Sequence, residues 1–291
     1  MRYFILILVA TGFFLFNSCR KDNSIDEPKD GPFLVFKFRF DSTQARLNNF
    51  GQPQGIPNGH GAQSPRFNKI SAHYIELAPD SFTLLGQGKV LYMASETNAG
   101  GSTAIDFSKS ITVSENEVFL RVPLSSISAG TYKWLRVSLS YQNYDIQLRS
   151  SGFDFTGTVA SFIGYNTYIS SFRPKNQLVT VNQNKLQGYW AFETSIFGMD
   201  TVISGDASNT TVPNPIASTS PIPAGSCVVT GAFSGPLIIT GNETNDINVL
   251  MSLSINNSFE WTDDAGNNIY EPPQDVVVDM GIRGLIPYVS Y

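Results

Sequence analysis

Histidine and cysteine are almost absent: the 291 residues include two of each. Soft and borderline metals recruit imidazole and thiolate, so a closed His/Cys zinc site lacks ligands here. The cysteines cannot staple the fold either. Cys19 has another use, argued below, and Cys227 is then alone, which excludes an intramolecular disulfide. Cys227 alternates with Val229 and Phe233 and reads as a small buried hydrophobe; no His or Lys adjoins it to activate a thiolate. Charge is sparse as well, with 15% Asp, Glu, Lys and Arg and a net charge of −5. Without a basic excess there is no positive field to neutralise phosphates, which sets nucleic acid aside. Anionic lipid is an equally poor partner for the globular part. The chain also lacks a Gly-x-Ser-x-Gly elbow and any P-loop or dinucleotide fingerprint. Asp and Glu are scattered, with no pair singled out for glycoside hydrolysis, so an envelope hydrolase stands only as an alternative.

The one long apolar run is at the start. Phe4 to Phe16 is broken only by Thr11 and Gly12 and follows the lone base Arg2. As a helix it would be about 20 Å long, against roughly 30 Å for a bilayer core. That is the length of a signal-peptide core rather than a membrane span. It ends Phe16-Asn17-Ser18-Cys19, which resembles the lipobox of bacterial lipoproteins. The resemblance implies cleavage before Cys19, removal of residues 1–18, and acylation of Cys19. The mature chain would carry a net charge of −6, since only Arg2 is lost. Residues 19–32 are charged and Pro-containing and read as a solvated tether. A Lys21-Asp22 pair behind the cysteine resembles the export signal of surface-displayed Gram-negative lipoproteins. The expected location is the outer membrane, lipid-anchored, with the cell surface and the periplasmic face both open.

Beyond the tether, period-two alternation dominates. Leu34, Phe36, Phe38 and Phe40 share one face of Phe33–Phe40, opposite Lys37 and Arg39. Leu135, Val137, Leu139 and Tyr141 share one face of Tyr132–Tyr141, opposite Arg136, Ser138 and Ser140. Ile247, Val249, Met251, Leu253 and Ile255 share a third. Shorter strands are predicted at Ile70–Leu77, Val118–Leu124, Leu178–Val181, Gly188–Thr194, Leu237–Thr240 and Val276–Met280. No segment carries a helical stripe; the nearest, Thr158–Phe172, is too rich in β-branched and aromatic residues. Antiparallel sheets with one wet face follow, packed as an all-β, antiparallel β-sandwich over residues 33–291. Two subdomains meeting near residue 150 are an open alternative. Two long loops, Asn48–Pro65 and Ser204–Ser226, stand out as functional or irregular segments.

Candidate sites are few. Asp263, Asp264, Asn268 and Glu271 offer hard oxygen donors for Ca²⁺, although the spacing departs from an EF-hand and a hairpin turn is the preferred reading. Tyr132 and Trp134 are predicted on the face opposite Leu135 and Val137, where aromatics would suit a glycan or protein ligand; a second core face is the competing reading. His60 falls in the glycine-rich loop and His73 on a strand, where a structural role is preferred. Asp41-Ser42-Thr43 and Asp200-Thr201-Val202 resemble O-glycosylation sites of some Gram-negative bacteria.

The layout of Phe36-Lys-Phe-Arg-Phe40, Ile70-Ser-Ala-His-Tyr74 and Ser128-Ala-Gly-Thr-Tyr-Lys-Trp-Leu-Arg136 resembles the methanobactin-associated MbnP-like β domains, over about the first 120 mature residues. The resemblance implies copper binding by His60 and His73 with a modified Trp134. Ser128 stands where that turn has Pro, and no Trp lies between the two histidines. The leading expectation is a non-catalytic, lipid-anchored envelope protein that needs no cofactor. It would bind a macromolecule or glycan, or serve as an accessory subunit of an envelope assembly. Copper handling and hydrolysis are the alternatives. Mass spectrometry of the protein from its native cells is expected to show an acylated Cys19 at the N-terminus. An intact Met1, or a bare residue 19, would refute the anchor.

Overall fold

The computed structural model describes residues 31–48, 52–196, 198–207 and 220–291. The leader, Cys19 and the tether up to residue 30 lie outside them, as does most of the Ser204–Ser226 loop. The strands are β1 Phe33–Asp41, β2 His60–Gln63, β3 Arg66–Ala78, β4 Lys89–Met93, β5 Glu96–Thr97 and β6 Ala104–Asp106. Next come β7 Val118–Pro123, β8 Gly130–Ser150, β9 Phe153–Phe162, β10 Asn166–Phe172, β11 Val179–Leu186 and β12 Tyr189–Ile196. The last are β13 Met199–Asp206, β14 Cys227–Ile239, β15 Ile247–Ser254, β16 Phe259–Thr262, β17 Val277–Met280 and β18 Leu285–Ser290. Among the described residues only two short 3-10 turns interrupt this all-β pattern.

A seven-stranded sheet is the spine, ordered β13-β12-β9-β8-β3-β4, with β14 also on β8. Its 21-residue strand β8 shares one edge between two neighbours. Residues 130–139 pair with β14 and residues 141–150 with β9, while β3 runs along the other edge. The handover falls at Ser140, whose carbonyl accepts the N–H groups of both Ile163 and Gly164. Ser140 is also an extra residue against β3, where Ser71 pairs with Tyr141 but Ala72 with Leu139. Such a bulge reverses the alternation. Leu135, Val137 and Leu139 enter the main core, whereas Tyr141 turns to the opposite face and packs on Phe162, Ile169 and Tyr189. The single face expected for Tyr132–Tyr141 is thus corrected at its last member.

Three smaller sheets pack on this spine. The β18-β15-β1-β7 sheet closes the main core with Leu34, Phe36, Phe38, Val249 and Met251, all buried. Each such side chain contributes roughly 1.5–3 kcal/mol of burial free energy. Here β1 and β15 pair in parallel, Phe36 against Val249 and Phe38 against Met251. The antiparallel rule fails because strands from opposite ends of the chain need no tight hairpin between them. The β17-β16-β2 sheet contributes Phe259 and Trp261, which meet Tyr144 and Ile146 of β8. The β11-β10-β6-β5 sheet meets Tyr141 and Phe162, with Phe107 wedged between them. Gly31–Tyr291 form one compact unit. Residue 150 ends β8, and Ser151-Gly152, both at positive φ, turns it into β9.

The face of β8 that was expected to be wet is covered. Arg136, Ser138 and Ser140 are buried, and the segment between β3 and β4 folds over Arg136. Glu76, fully buried on β3, accepts N–H bonds from Gly86 at 3.0 Å and Gly88 at 2.6 Å, and Arg136 bonds the Thr83 carbonyl. Gly88 has no room for a side chain: a Cβ would sit 2.2 Å from the Leu77 carbonyl oxygen.

Sheet contact is equally tight where β14 crosses β18. A Cβ on Gly231 would lie 2.3 Å from the backbone carbonyl of Leu285. Gly231→Ala is expected to destabilise the protein by about 1–3 kcal/mol, the cost of overpacking. Thermal unfolding would show this as a clear drop in Tm, and an unchanged Tm would contradict the packing.

Candidate functional site

The two histidines are held apart, each by its own carboxylate. His60 is not in an open loop: β2 pairs with β16, and His60 Nδ1 donates to Glu260 Oε1 at 2.5 Å. His60 pairs with Thr262, so Glu260 lies diagonally across the two strands, a reach long side chains make. Glu260 is buried and also bonds Arg46, with Arg283 at 3.7 Å. Arg46 continues to the Gly55 carbonyl at 2.8 Å, and Arg283 pairs with Asp279. Burial pushes the Asp279 carboxyl above its ordinary range, with Arg283 opposing and Glu260 adding to the rise. Cys227 lines the small cavity beside this cluster, and burial raises its thiol to about 12. The cluster ties residues from the two ends of the chain together.

His73 is the extra residue of a second bulge, between Ala72 and Tyr74 on β3. Its Nε2 is 3.3 Å from Glu96, which also accepts the Tyr165 hydroxyl at 2.7 Å. The Tyr165 hydroxyl is held above its ordinary range by burial and by that carboxylate. Trp134 is half-buried on β8 and pairs with Ala232. Among the described residues no three His, Cys, Asp or Glu side chains gather as a metal-holding group.

The acidic loop forms a turn stabilised by its own side chains. Asp263 accepts the N–H groups of Asn267 at 3.2 Å and Asn268 at 2.7 Å. Asn267 donates to Glu271 at 2.8 Å, and Asn268 Oδ1 accepts the Ala62 N–H at 2.9 Å. Asp275 accepts the N–H groups of Asp264 and Glu271. Gly266 and Asn268 supply the positive φ angles that the turn requires.

Tyr132 is a correction. It is buried in the main core beside Leu135 and Val137, and its hydroxyl donates to the Ser128 carbonyl at 2.9 Å. The displacement follows from the irregular pairing of β14 with β8, whose register shifts between Ala232 and Leu237. Tyr132 therefore offers no surface to a ligand.

Two concave sites lie instead on opposite faces of the spine. The first is a groove of about 700 Å³ over the ends of β8, β9, β12 and β13. Ile146, Val159, Trp190, Phe192 and Ile203 line its floor, and Tyr270, Pro272, Val276 and Val278 its wall. The Phe192 ring reaches diagonally over Gly157, which pairs with Thr194; a Cβ there would be 2.0 Å from the ring. Asp206 and Asp275 are the groove's carboxylates. Asp206 faces Lys185 at 3.9 Å, and Asp275 is engaged by the backbone. The second is a polar cleft of about 560 Å³ around Asn143 and Asp145. No family model matches the chain, and neither a curated protein nor a solved structure matches it. Sequence reading missed both sites because their residues come from five or more separate segments. The local signals were Tyr189-Trp190 with one aromatic on each face, and the polar run Gln142-Asn143-Tyr144-Asp145 on both faces of one strand.

Burial lowers the proton affinity of His73 below its ordinary value of 6.5, with the Glu96 charge opposing. The unfolded chain therefore takes up the proton first as pH falls. The neutral-imidazole contribution is complete above 6.5 and is lost as pH drops from there toward the lower folded value. His73→Gln is expected to flatten the dependence of Tm on pH below about 6.5. An unaltered slope would show that His73 does not govern it.

Proposed function

We propose that this chain is a non-catalytic, lipid-anchored β-sandwich of the cell envelope that holds an extended, apolar segment of a protein partner, as an accessory subunit. The observation that carries this reading is the groove over β12 and β13. Its volume of about 700 Å³ falls within the usual range for binding sites, and most of its lining is aliphatic or aromatic. Its wall is a strand with a free edge: β17 pairs with β16 on one side and with no other strand among the described residues. An unpaired edge beside an apolar trough suits an added strand, with main-chain bonds to the edge and alternate side chains in the trough. Asp206 and Asp275 at the groove favour a basic residue flanking the apolar segment. Ile203 and Val276 are more than half exposed there, as contact residues for a partner would be. The acyl group expected at Cys19 would keep the domain at the membrane while the tether gives it reach.

The probe is a synthetic peptide of alternating Val and Thr with one Lys at its end, titrated against the full-length protein in non-ionic detergent. Trp190 emission is expected to shift saturably. Ile203→Asp, at an exposed position, should weaken binding roughly tenfold, the equivalent of about 1.4 kcal/mol of lost apolar contact. Val278→Pro should abolish the peptide response while leaving the uptake of a small apolar dye intact. A dye response with no peptide response, or a peptide response indifferent to both substitutions, would overturn the proposal.

A further inference from the structure

We infer that the polar cleft on the other face of the spine is a second binding site, and that it takes an acidic saccharide bearing uronate carboxylates. Four side-chain cations, Arg66, Lys69, Arg173 and Lys175, line it against one carboxylate, Asp145. That local excess runs against a chain whose net charge is −5. Two of the cations have protein partners, since Arg66 pairs with Asp145 and Arg173 bonds the Asn176 carbonyl. Lys69 and Lys175 are exposed and meet no carboxylate among the described residues. Unpaired ammonium groups around a concave site attract and orient an anion.

The cleft is built before any ligand arrives. Glu193, buried on β12, accepts the backbone N–H groups of Lys175, Asn176 and Gln177 at 2.9–3.0 Å. This carboxylate fixes the loop that presents Arg173 and Lys175. Asn143 donates to the Pro174 carbonyl at 2.8 Å and anchors the same loop from below. Asp145 is held by Thr158 at 2.8 Å and Asn68 at 3.0 Å. Supporting bonds of this kind keep polar groups in place without reorganisation.

The floor favours a sugar over a compact anion. Tyr141 is only 4% exposed. Its hydroxyl accepts from Asn143 at 3.4 Å, and its own O–H finds no acceptor among the described residues. A buried donor without a partner is costly, and a ligand oxygen in the cleft would relieve it. Asp145 supplies an acceptor for ligand hydroxyls and opposes a concentrated double charge placed deep in the site. Phe107 and Phe172 add apolar surface for the C–H face of a ring. A volume of about 560 Å³ accommodates one or two sugar units.

Calorimetric titration of the full-length protein in non-ionic detergent tests the assignment. The probes are oligogalacturonate, oligoglucuronate and oligomannuronate, the methyl ester of whichever binds, and inorganic phosphate. At least one uronate oligomer is expected to bind, more weakly as salt rises. Methyl esterification should reduce affinity roughly tenfold or more, the usual scale for a charge-assisted hydrogen bond. Lys69→Gln combined with Lys175→Gln, both at exposed positions, should do the same without altering Tm. Tyr141→Phe should weaken binding, with circular dichroism confirming the fold. The inference is overturned if no uronate binds, if the ester binds equally well, if the lysine variant binds like wild type, or if phosphate outcompetes the uronate.

Discussion

One strand decides most of this architecture. β8 is long enough to serve three apolar clusters on its two faces, and it does so because a single extra residue, Ser140, interrupts its register against β3. From Leu135 to Leu139 the odd-numbered side chains feed the main core; after Ser140 the even-numbered Tyr144 and Ile146 face Phe259 and Trp261. At the same residue the neighbour changes from β14 to β9, and the Ser140 carbonyl gathers two N–H groups that the handover would otherwise strand. Both concave sites are consequences. The apolar groove lies over even-numbered residues of the second half of β8, and the polar cleft over odd-numbered Tyr141, Asn143 and Asp145.

Cys227, the one cysteine among the described residues, is free, and buried carboxylates hold part of what packs on this spine. Glu76 collects backbone donors from the segment before β4, Glu193 from the loop after β10, and Glu260 joins the guanidinium of Arg46 to His60. Each ionised carboxylate buried in this way must keep its full set of donors, because an unsatisfied buried charge costs several kcal/mol. Those obligations make the loops specific in position, which is what a preformed cleft requires. Glu260 also makes one of the two His–Glu contacts of the described residues; the other joins His73 to the exposed Glu96.

The two faces of the spine differ in chemistry for a physical reason. On one face a small sheet with a free edge leans over aromatic side chains, leaving a largely apolar trough. On the other, the β10–β11 loop is pulled down by Glu193 over a polar floor, and the cations of that loop are held at its rim. If both proposals hold, the protein partner and the polyanionic glycan would sit on opposite faces of the spine and would not compete for one site.

Alternation along Phe33–Phe40 and Ile247–Ile255 identifies both strands and the face that enters the main core, because their mutual pairing runs in unbroken register; it does not show that Val35, Ser252 and Ser254 on the other side are buried too. The same rule went astray on β8. Arg136, Ser138 and Ser140 are polar yet buried, Tyr132 is in the core, and Tyr141 faces the other way, since bulges and covering loops are set by distant pairing partners. His60 looked like a loop residue because the strand that receives it, β16, lies near the far end of the chain. Composition and local period therefore determined the all-β class, the main strands and the absence of a disulfide framework. Only the tertiary structure decided the parallel pairing of β1 with β15, which polar residues are buried, and where the groove and the cleft open. Local sequence encodes the two-residue repeat of a strand, whereas register, bulges and edges depend on neighbours that folding alone brings together.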